Sequence, residues 1–377
     1  MIFSARTHLE GGENRLTTVL RARRAAGLPV LDLTASNPTR VGLAWPADAL
    51  AAAWATADAR IYRPDPLGLP EARAAVAAAE GVPADRVVLT ASTSEAYALL
   101  FKVLCDPGDA VLALVPGYPL FEHLARFEGV ALHTCPLAWD GAWHVDVAAV
   151  RAALTPRTRA LLVVSPNNPT GQYLRPAELA RLAGLGLPVI VDEVFRRFPH
   201  AGPAASALAQ LDLPVIVLDG LSKRCGLPQV KAGWMVVGGP PAFADALLDR
   251  LAYVADAYLS IGTPVQLALP ALLADAAGVG DAIHGRTRAS LAHLYAATAG
   301  RPVEVRRVEG GWYAVLTLPA TQDDEAWALG LLDAGVLVQP GFFYDFPRGT
   351  QIVVSLLTPA AVLVEGVERL TAFVAGG

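Results

Sequence analysis

Primary amines are scarce in this chain, so chemistry that needs one has few places to occur. Among its 30 basic residues only Lys102, Lys223 and Lys231 are lysines. Lys223 follows an apolar run at residues 215–218 and an Asp-Gly turn. A lysine at the end of a buried strand is shielded from water, which lowers its pKa and makes its amine nucleophilic. A lone lysine at such a position is far more often a solvated loop residue, so the other residues of the site must decide between the two interpretations.

Two further polar side chains follow apolar runs. Asp192 ends the run at residues 188–191, and Asn168 lies in the proline-rich string at residues 165–171. A buried carboxylate opposite a pyridine nitrogen keeps that ring protonated and makes it an electron sink. A neighbouring amide can hydrogen-bond an oxygen on such a ring. Taken singly, both strings are also typical of ordinary turns.

A third group of side chains could bind an anion and an aromatic ring. Ser92, Thr93 and Ser94 lie where a predicted strand passes into a predicted helix. Such hydroxyls are common helix caps, and the amides at a helix N-terminus attract phosphate. Tyr118, in a Pro-Gly-Tyr-Pro string after another apolar run, supplies an aromatic ring.

The elements that must position these residues are short β-rich runs separated by Ala/Leu-rich helical patterns. We predict strands at residues 87–90, 110–115, 130–135, 160–165, 188–192, 215–219 and 233–237, and helices that include 94–105, 119–128 and 176–183. This alternation is typical of an α/β layer on a mostly parallel, seven-stranded sheet between helices. Ligands of such sheets bind at the carboxyl ends of the strands, which is where the polar residues above fall.

The pattern changes near Leu259. A long helical pattern at residues 264–298 is followed by strands at 303–308, 312–318, 335–339 and 351–356 and by helices at 325–334 and 361–374. We therefore predict a large domain at residues 36–258 and a smaller α+β domain at 259–377, joined by an N-terminal segment at 1–35.

Composition excludes several classes of protein. The chain has 377 residues, a formal net charge of −5, 54% hydrophobic residues and 17% charged residues. Extensive disorder and nucleic-acid binding do not fit these values. No uninterrupted apolar run reaches the roughly 18 residues of a membrane span, and no His/Cys spacing indicates a metal site. The start of the chain has no secretory pattern, and three widely spaced cysteines favour a cytoplasmic protein.

In this order and spacing, three strings resemble the class I/II aminotransferases, enzymes of fold-type I that use pyridoxal 5'-phosphate (PLP). They are PNNPTG at residues 166–171, DEVF at 192–195 and LSK at 221–223. The resemblance extends from Leu33 to about Pro359. It implies a PLP fold-type I architecture with a large and a small domain.

The resemblance also implies roles for single residues. Lys223 corresponds to the Schiff-base lysine that also moves the proton, and Asp192 to the partner of the pyridine nitrogen. Asn168 corresponds to the hydrogen-bond donor to the ring oxygen, and Tyr118 to the aromatic side chain that stacks on the ring. The implied phosphate contacts are Ser92, Thr93, Ser94, Ser222 and Lys231. Tyr62 resembles the tyrosine that reaches the phosphate of the neighbouring subunit, which implies a homodimer with shared active sites.

Three positions depart from the pattern of that family. Lys231 replaces an arginine but keeps a positive charge for phosphate. Phe195 replaces a tyrosine that bonds the ring oxygen in many members, and loss of that hydroxyl should raise the pKa of the Schiff base. Val353 replaces the arginine that grips the α-carboxylate of the substrate. Either another arginine takes over this contact or the substrate has no α-carboxylate, and the candidates for substrate binding are Asn37, Arg40 and Arg348.

The resemblance implies a transferase that moves an amino group from an amino acid or amine to a 2-oxo acid by a ping-pong mechanism. Alternatives are a PLP-dependent C–S lyase or decarboxylase on the same fold, because the sequence does not show which bond at Cα is broken. A ligand-sensing module without catalysis is a further alternative, although the chain is acidic and the basic DNA-binding region of such regulators is missing.

Overall fold

The computed structural model describes residues 2–8, 12–55, 59–202, 204–274, 276–346 and 349–376. The strands, in chain order, are β1 (Leu31–Asp32), β2 (Val87–Thr90), β3 (Ala110–Val115), β4 (Ala131–Pro136), β5 (Ala138–Trp139), β6 (Trp143–His144), β7 (Thr158–Val164), β8 (Val189–Asp192), β9 (Val215–Gly220), β10 (Gly233–Val237), β11 (Glu304–Val305), β12 (Tyr313–Thr317), β13 (Val336–Leu337), β14 (Gln339–Pro340) and β15 (Gln351–Ser355).

The helices enclose these strands. In chain order they are α1 (Arg15–Ala25), α2 (Ala47–Ala55), α3 (Pro70–Glu80), α4 (Thr93–Leu104), α5 (Leu120–Phe127), α6 (Val147–Ala153), α7 (Pro176–Ala183), α8 (Leu221–Arg224), α9 (Pro241–Asp256), α10 (Thr263–Ala274), α11 (Ala276–Thr298), α12 (Asp324–Asp333) and α13 (Ala360–Gly376).

Seven of the described strands form one large sheet in the order β2-β10-β9-β8-β7-β3-β4. All neighbours pair in parallel except β10, which is antiparallel to both β2 and β9. Successive side chains of these strands point to opposite faces of the sheet and pack in different cores. In β2, for example, Val88 packs in one core and Leu89 in the other. Because both faces are covered, the strands are apolar along their whole length. The predicted α/β fold with a mostly parallel sheet is confirmed.

The C-terminal part builds a second core around the antiparallel sheet β11-β12-β15-β14. Leu16 and Leu33 from the N-terminal segment belong to this core, and β1 pairs in parallel with β13. The N-terminal segment therefore packs with the smaller sheet. The exact boundaries between domains stay a prediction.

The helical pattern predicted over residues 264–298 is divided between α10 and α11, so the prediction of one long helix is wrong. Leu269 and Leu272 of α10 pack in the core of the large sheet, whereas Leu291 and Leu294 of α11 pack in the smaller core. The chain must change direction to reach both. Among the described residues no single helix is long and apolar enough to cross a membrane, and α10 with residues 278–298 meets the length and composition criteria only as a pair bent by 62°.

Candidate active site

A cavity of about 290 Å³ lies where the strands of the large sheet end. The carboxyl ends of β2, β3, β7, β8 and β9 lead into it, and β10 begins there because it runs in the opposite direction. It is lined by Ser92, Thr93, Ser94, Tyr118, Val164, Asn168, Asp192, Val194, Phe195, Gly220, Ser222, Lys223, Pro228, Lys231, Ala232, Gly233 and Tyr313.

The start of α4 forms one wall of the cavity. Ser92 caps this helix by accepting a hydrogen bond from Glu95 N at 3.2 Å, while Glu95 Oε2 accepts one from Ala91 N at 2.6 Å. A Cβ at Gly233 would lie 3.1 Å from Thr93 N, closer than ordinary van der Waals contact, so the glycine favours the close approach of β10 to the helix. The first amides of a helix have no partner within it, and this end therefore suits a phosphate.

Asp192 ends β8 and is buried. Its Oδ2 accepts a hydrogen bond from Tyr97 Oη at 3.1 Å, and its Oδ1 accepts one from Val194 N at 3.1 Å. Burial raises the pKa of Asp192 to about 6, although both hydrogen bonds and the charge of Lys223 lower it. No cation lies within ion-pair distance of this carboxylate in the described part of the chain.

Lys223 projects from α8, which directly follows β9. Its Nζ lies 5.3 Å from the ring centre of Trp312 and 5.8 Å from that of Phe195. Burial lowers the pKa of Lys223, and the carboxylate of Asp192 opposes that shift. A lysine with a lowered pKa has a larger fraction of neutral amine, which is the form that attacks carbonyl carbon and accepts protons.

The two asparagines of the PNNPTG string differ in their bonding. Asn167 Nδ2 donates to Pro116 O and to Thr170 Oγ1, both at 2.8 Å, and so holds the loop together. Asn168 Oδ1 is buried without a hydrogen-bond partner in the described residues, and Asn168 lines the cavity. Gly171 closes the loop with φ +77°, and a Cβ there would lie 2.8 Å from Val308 Cγ1.

The remaining predicted ring and phosphate contacts also line the cavity. Tyr118 packs edge-on against Phe121 with ring centres 5.5 Å apart, and burial raises its pKa to about 12. Ser222 precedes Lys223 in α8. Lys231 lies just before β10 in a left-handed conformation, with φ 60°.

The predicted substrate and intersubunit residues within the described part of the chain do not line this cavity. Asn37 and Arg40 are exposed and are not among the residues lining the cavity. Arg348 lies outside the described residues. Tyr62 is 75% exposed and lines a different cavity, of about 210 Å³. Val353 is fully buried between β12 and β14, where it packs with Val315 and Tyr344.

Sequence reasoning did not identify Tyr97, Trp312 or Tyr313, which also belong to the site. Tyr97 lies three residues after Ser94 on the buried side of α4, where a hydroxyl needs a partner. That requirement could have drawn attention to it. Trp312 and Tyr313 reach the site from the other end of the chain, and no local signal in the sequence indicates that contact.

Comparison with known proteins places the chain in a family. Residues 30–370 match the model for aminotransferase class I and II. This chain belongs to the class I and II aminotransferases. The histidinol-phosphate aminotransferase 1 of Mesorhizobium japonicum is 30% identical over 287 residues, which cover 74% of each chain. The alanine aminotransferase of Mycobacterium tuberculosis is 27% identical over 304 residues, 77% of this chain and 71% of that protein.

Solved aminotransferase structures have the same fold. That of the alanine aminotransferase from Pyrococcus furiosus superposes with a TM-score of 0.87 at 26% identity, covering 96% of both chains. That of an aspartate aminotransferase double mutant from Thermus thermophilus superposes with a TM-score of 0.86 at 24% identity, covering 98% of this chain and 99% of that one.

The protein is therefore a PLP-dependent aminotransferase, and the cavity of this aminotransferase fits that cofactor. Asn168 lines the cavity, where its Nδ2 can donate to a ring oxygen, and the Asp192 carboxylate, which has no ion-pair partner in the described residues, suits a protonated ring nitrogen. The start of α4, which Gly233 brings close to β10, suits the phosphate. A lysine amine lies in the same cavity.

Proposed function

We propose that this enzyme transfers the amino group of an amino acid to a 2-oxo acid in two half-reactions, with Lys223 as covalent anchor and proton carrier. The observation that carries the proposal is the half-buried amine of Lys223, with its lowered pKa, in one cavity with the carboxylate of Asp192, which has no ion-pair partner in the described residues. The amine of Lys223 can accept protons, and the carboxylate of Asp192 can keep a ring nitrogen charged.

When bound, PLP supplies an electron-accepting ring that stabilises negative charge at the Cα of the substrate. Asp192 holds the proton of the ring nitrogen, and Tyr97 and the Val194 amide keep its carboxylate oriented. Lys223 would take the proton from Cα and return it on the other side of the transferred nitrogen, two atoms from Cα. Trp312 and Phe195 exclude water from the Lys223 amine on the side that they cover.

The scarcity of lysine makes the covalent anchor directly testable. Borohydride reduction of the holoenzyme should fix the cofactor to the protein, and peptide mass spectrometry should place it on Lys223. Lys223→Ala should abolish this labelling, whereas Lys102→Ala, which removes a lysine paired with Glu128 at 2.5 Å, should leave it intact. Labelling of Lys231 or Lys102 would contradict the proposal.

The type of reaction is decided by the products of a single half-reaction. An aminotransferase should convert one equivalent of amino acid into one equivalent of 2-oxo acid, with loss of the visible absorbance of the cofactor. Continuous release of ammonia with pyruvate would instead identify a lyase, and release of carbon dioxide a decarboxylase.

We further propose that Arg40 binds the α-carboxylate of the substrate. Its segment is held beside the cavity, because Ser355 Oγ donates to Ala35 O at 2.7 Å and Ser355 pairs across the sheet with Tyr313, which lines the cavity. Arg40 follows Ser36 by four residues and is exposed. An exposed arginine next to the site can close on a carboxylate with two parallel hydrogen bonds.

This assignment is tested with paired substrates. Arg40→Ala should raise KM at least about tenfold for amino acids, because a charge-assisted pair is lost, and should leave simple amines unaffected. Arg21→Ala, which removes an exposed arginine of α1, is the control. Equal effects on amino acids and amines would contradict a carboxylate contact.

We also propose that the enzyme is a homodimer in which Tyr62 reaches the site of the partner subunit. Support comes from a group of exposed apolar side chains on the elements around Tyr62: Ile61 is 67%, Tyr62 75%, Tyr253 85% and Tyr258 57% exposed. Light scattering should give about twice the chain mass of 39.5 kDa. Tyr253→Asp should shift the protein toward monomer and weaken cofactor retention, whereas a stable monomer of the wild type would contradict the proposal.

A further inference from the structure

A buried group of charged side chains lies next to the site. Two of its members are sequence neighbours of site residues, since Glu193 follows Asp192 and Arg224 follows Lys223. It consists of Glu80, Glu193, Arg196, Asp219 and Arg224, which we term the Glu80 cluster. The side chains of Glu80 and Glu193 are each 1% exposed, and that of Arg224 is 5% exposed. None of these residues has a part in the mechanism above.

Glu80 is the centre of this cluster. It is the last residue of α3, and its two carboxylate oxygens pair with different arginines, Oε1 with Arg224 and Oε2 with Arg196. Arg224 Nη2 also donates to Ala79 O at 3.3 Å, so one guanidinium holds both the carboxylate and a carbonyl at the end of the helix.

Each of these two arginines is connected with one of the two central residues of the site, Lys223 or Asp192. Arg224 follows Lys223 within α8. Arg196 Nε lies 2.9 Å from an oxygen of Glu193, the residue after Asp192. Glu193 is fixed in turn, because its carboxylate accepts hydrogen bonds from Ser206 Oγ at 2.7 Å and from Ala207 N at 2.6 Å. Glu80 therefore connects the backbone of Lys223 with that of Asp192.

The element that carries Lys223 is short. α8 has four residues, its N-cap Gly220 has no side chain to bond the first amides, and Leu221 N donates instead to Ala232 O at 3.0 Å. The Glu80 cluster adds a side-chain anchor to this backbone contact. Buried ion pairs often stabilise a fold no better than apolar residues of the same size would. Geometric control of the site accounts for this cluster better than a gain in stability.

We propose that Glu80 is a positioning residue, which by holding Arg224 and Arg196 fixes the amine of Lys223 relative to the carboxylate of Asp192. The inference rests on the proposed roles of Lys223 and Asp192. Loss of the clamp should let α8 shift, and the amine would then meet the cofactor and Asp192 at a changed distance.

The test compares Glu80→Gln with a matched control at the other end of the sheet. Asp109 is also a buried carboxylate that pairs with two arginines, Arg159 at 2.8 Å and Arg157 at 3.2 Å, but it precedes β3. For Asp109→Asn and Glu80→Gln the measurements are the Tm of the protein without cofactor, the pH midpoint of the visible band of the holoenzyme, and kcat with KM.

We expect both variants to lower Tm. Only Glu80→Gln should shift the pH midpoint by about half a unit or more and lower kcat about tenfold with little change in KM. Equal midpoints and kcat values in the two variants would overturn the inference. If Glu80→Gln does not fold, Glu80→Asp, which keeps the charge but is too short to hold both arginines, must show the same shift.

Failure of this inference is distinguishable from failure of the proposed function. If borohydride fixes the cofactor to Lys223 in the wild type but the midpoint in Glu80→Gln is unchanged, only the positioning role falls. If the cofactor is not on Lys223, the proposed function falls first.

Discussion

The hydroxyl of Tyr97 donates a hydrogen bond of 3.1 Å to the buried carboxylate of Asp192, the last residue of β8. Tyr97 belongs to α4, the same helix whose first residues form one wall of the cavity. One helix thus contacts the site at the proposed phosphate end and at the carboxylate that we propose faces the ring nitrogen. A displacement of α4 would disturb both ends together.

Tyr97→Phe should weaken cofactor binding. Without the hydroxyl, the Asp192 carboxylate loses a hydrogen bond, so its pKa should rise above the value of about 6 that burial already causes. A hydrogen bond to a charged group contributes about 1.5–3 kcal/mol, which corresponds to a rise in the Kd for PLP of about tenfold or more. Equilibrium titration of the protein without cofactor measures it.

Tyr173→Phe is the matched control for that change. Tyr173 is a buried tyrosine whose hydroxyl donates to Arg196 O at 2.9 Å, not to a residue of the cavity. It should lower stability without a comparable change in Kd. Equal Kd values for the two variants would contradict a special role for Tyr97.

Asn168→Ala and Asn167→Ala alter neighbouring residues but should have opposite effects on thermal stability with and without PLP. Asn168 Oδ1 has no partner in the described residues, so its removal should change the Tm of the cofactor-free protein by little. It should, however, reduce the rise in Tm that PLP causes. Asn167→Ala breaks two hydrogen bonds of 2.8 Å and should lower Tm in the cofactor-free protein. Thermal unfolding with and without PLP decides, and the reverse pattern would contradict the assignment.

Local patterns in the sequence were enough to predict most of the cavity. Asp192 ends a short apolar strand, Asn168 and Lys223 lie within a few residues of the ends of two others, and the carboxyl ends of parallel strands meet at one edge of the sheet. The predicted strands at residues 87–90, 110–115 and 233–237 agree with β2, β3 and β10 residue for residue. Their apolar runs are bounded by turn residues, which makes both ends easy to place.

Long-range packing could not be predicted in the same way. Trp312 lies beside Lys223 because the smaller sheet folds back on the larger one, and no pattern near either residue reports that approach. The helical pattern at residues 264–298 is divided between α10 and α11 because its two halves pack in different cores, and nothing in the local pattern indicates that division. The cytoplasmic location, which was inferred from cysteine content, stays a prediction.

Phe195→Tyr should lower the pH midpoint of the visible band of the holoenzyme. Phe195 lines the cavity with its ring centre 5.8 Å from Lys223 Nζ, and a hydroxyl added there can donate to the ring oxygen of the cofactor. Such a bond favours the unprotonated chromophore, and we expect a shift of about half a unit or more. Phe198→Tyr is the control, because Phe198 also packs against Trp312, with ring centres 5.2 Å apart, but does not line the cavity. A higher midpoint in Phe195→Tyr would contradict the argument.

Stability should fall as the pH rises from about 4.5 to about 7, because Glu193 is buried. Burial raises the pKa of Glu193 to about 7 even though Arg196, Ser206 and Ala207 lower it. In this range the folded protein keeps a proton that the unfolded chain releases, so the free energy of unfolding declines with pH, by up to about 3 kcal/mol for this group. Glu193→Gln cannot titrate and should flatten part of this decline in urea unfolding at pH 5 and pH 8. Glu365→Gln, at an exposed site on α13, is the control, and an unchanged slope in Glu193→Gln would show that other groups cause the decline.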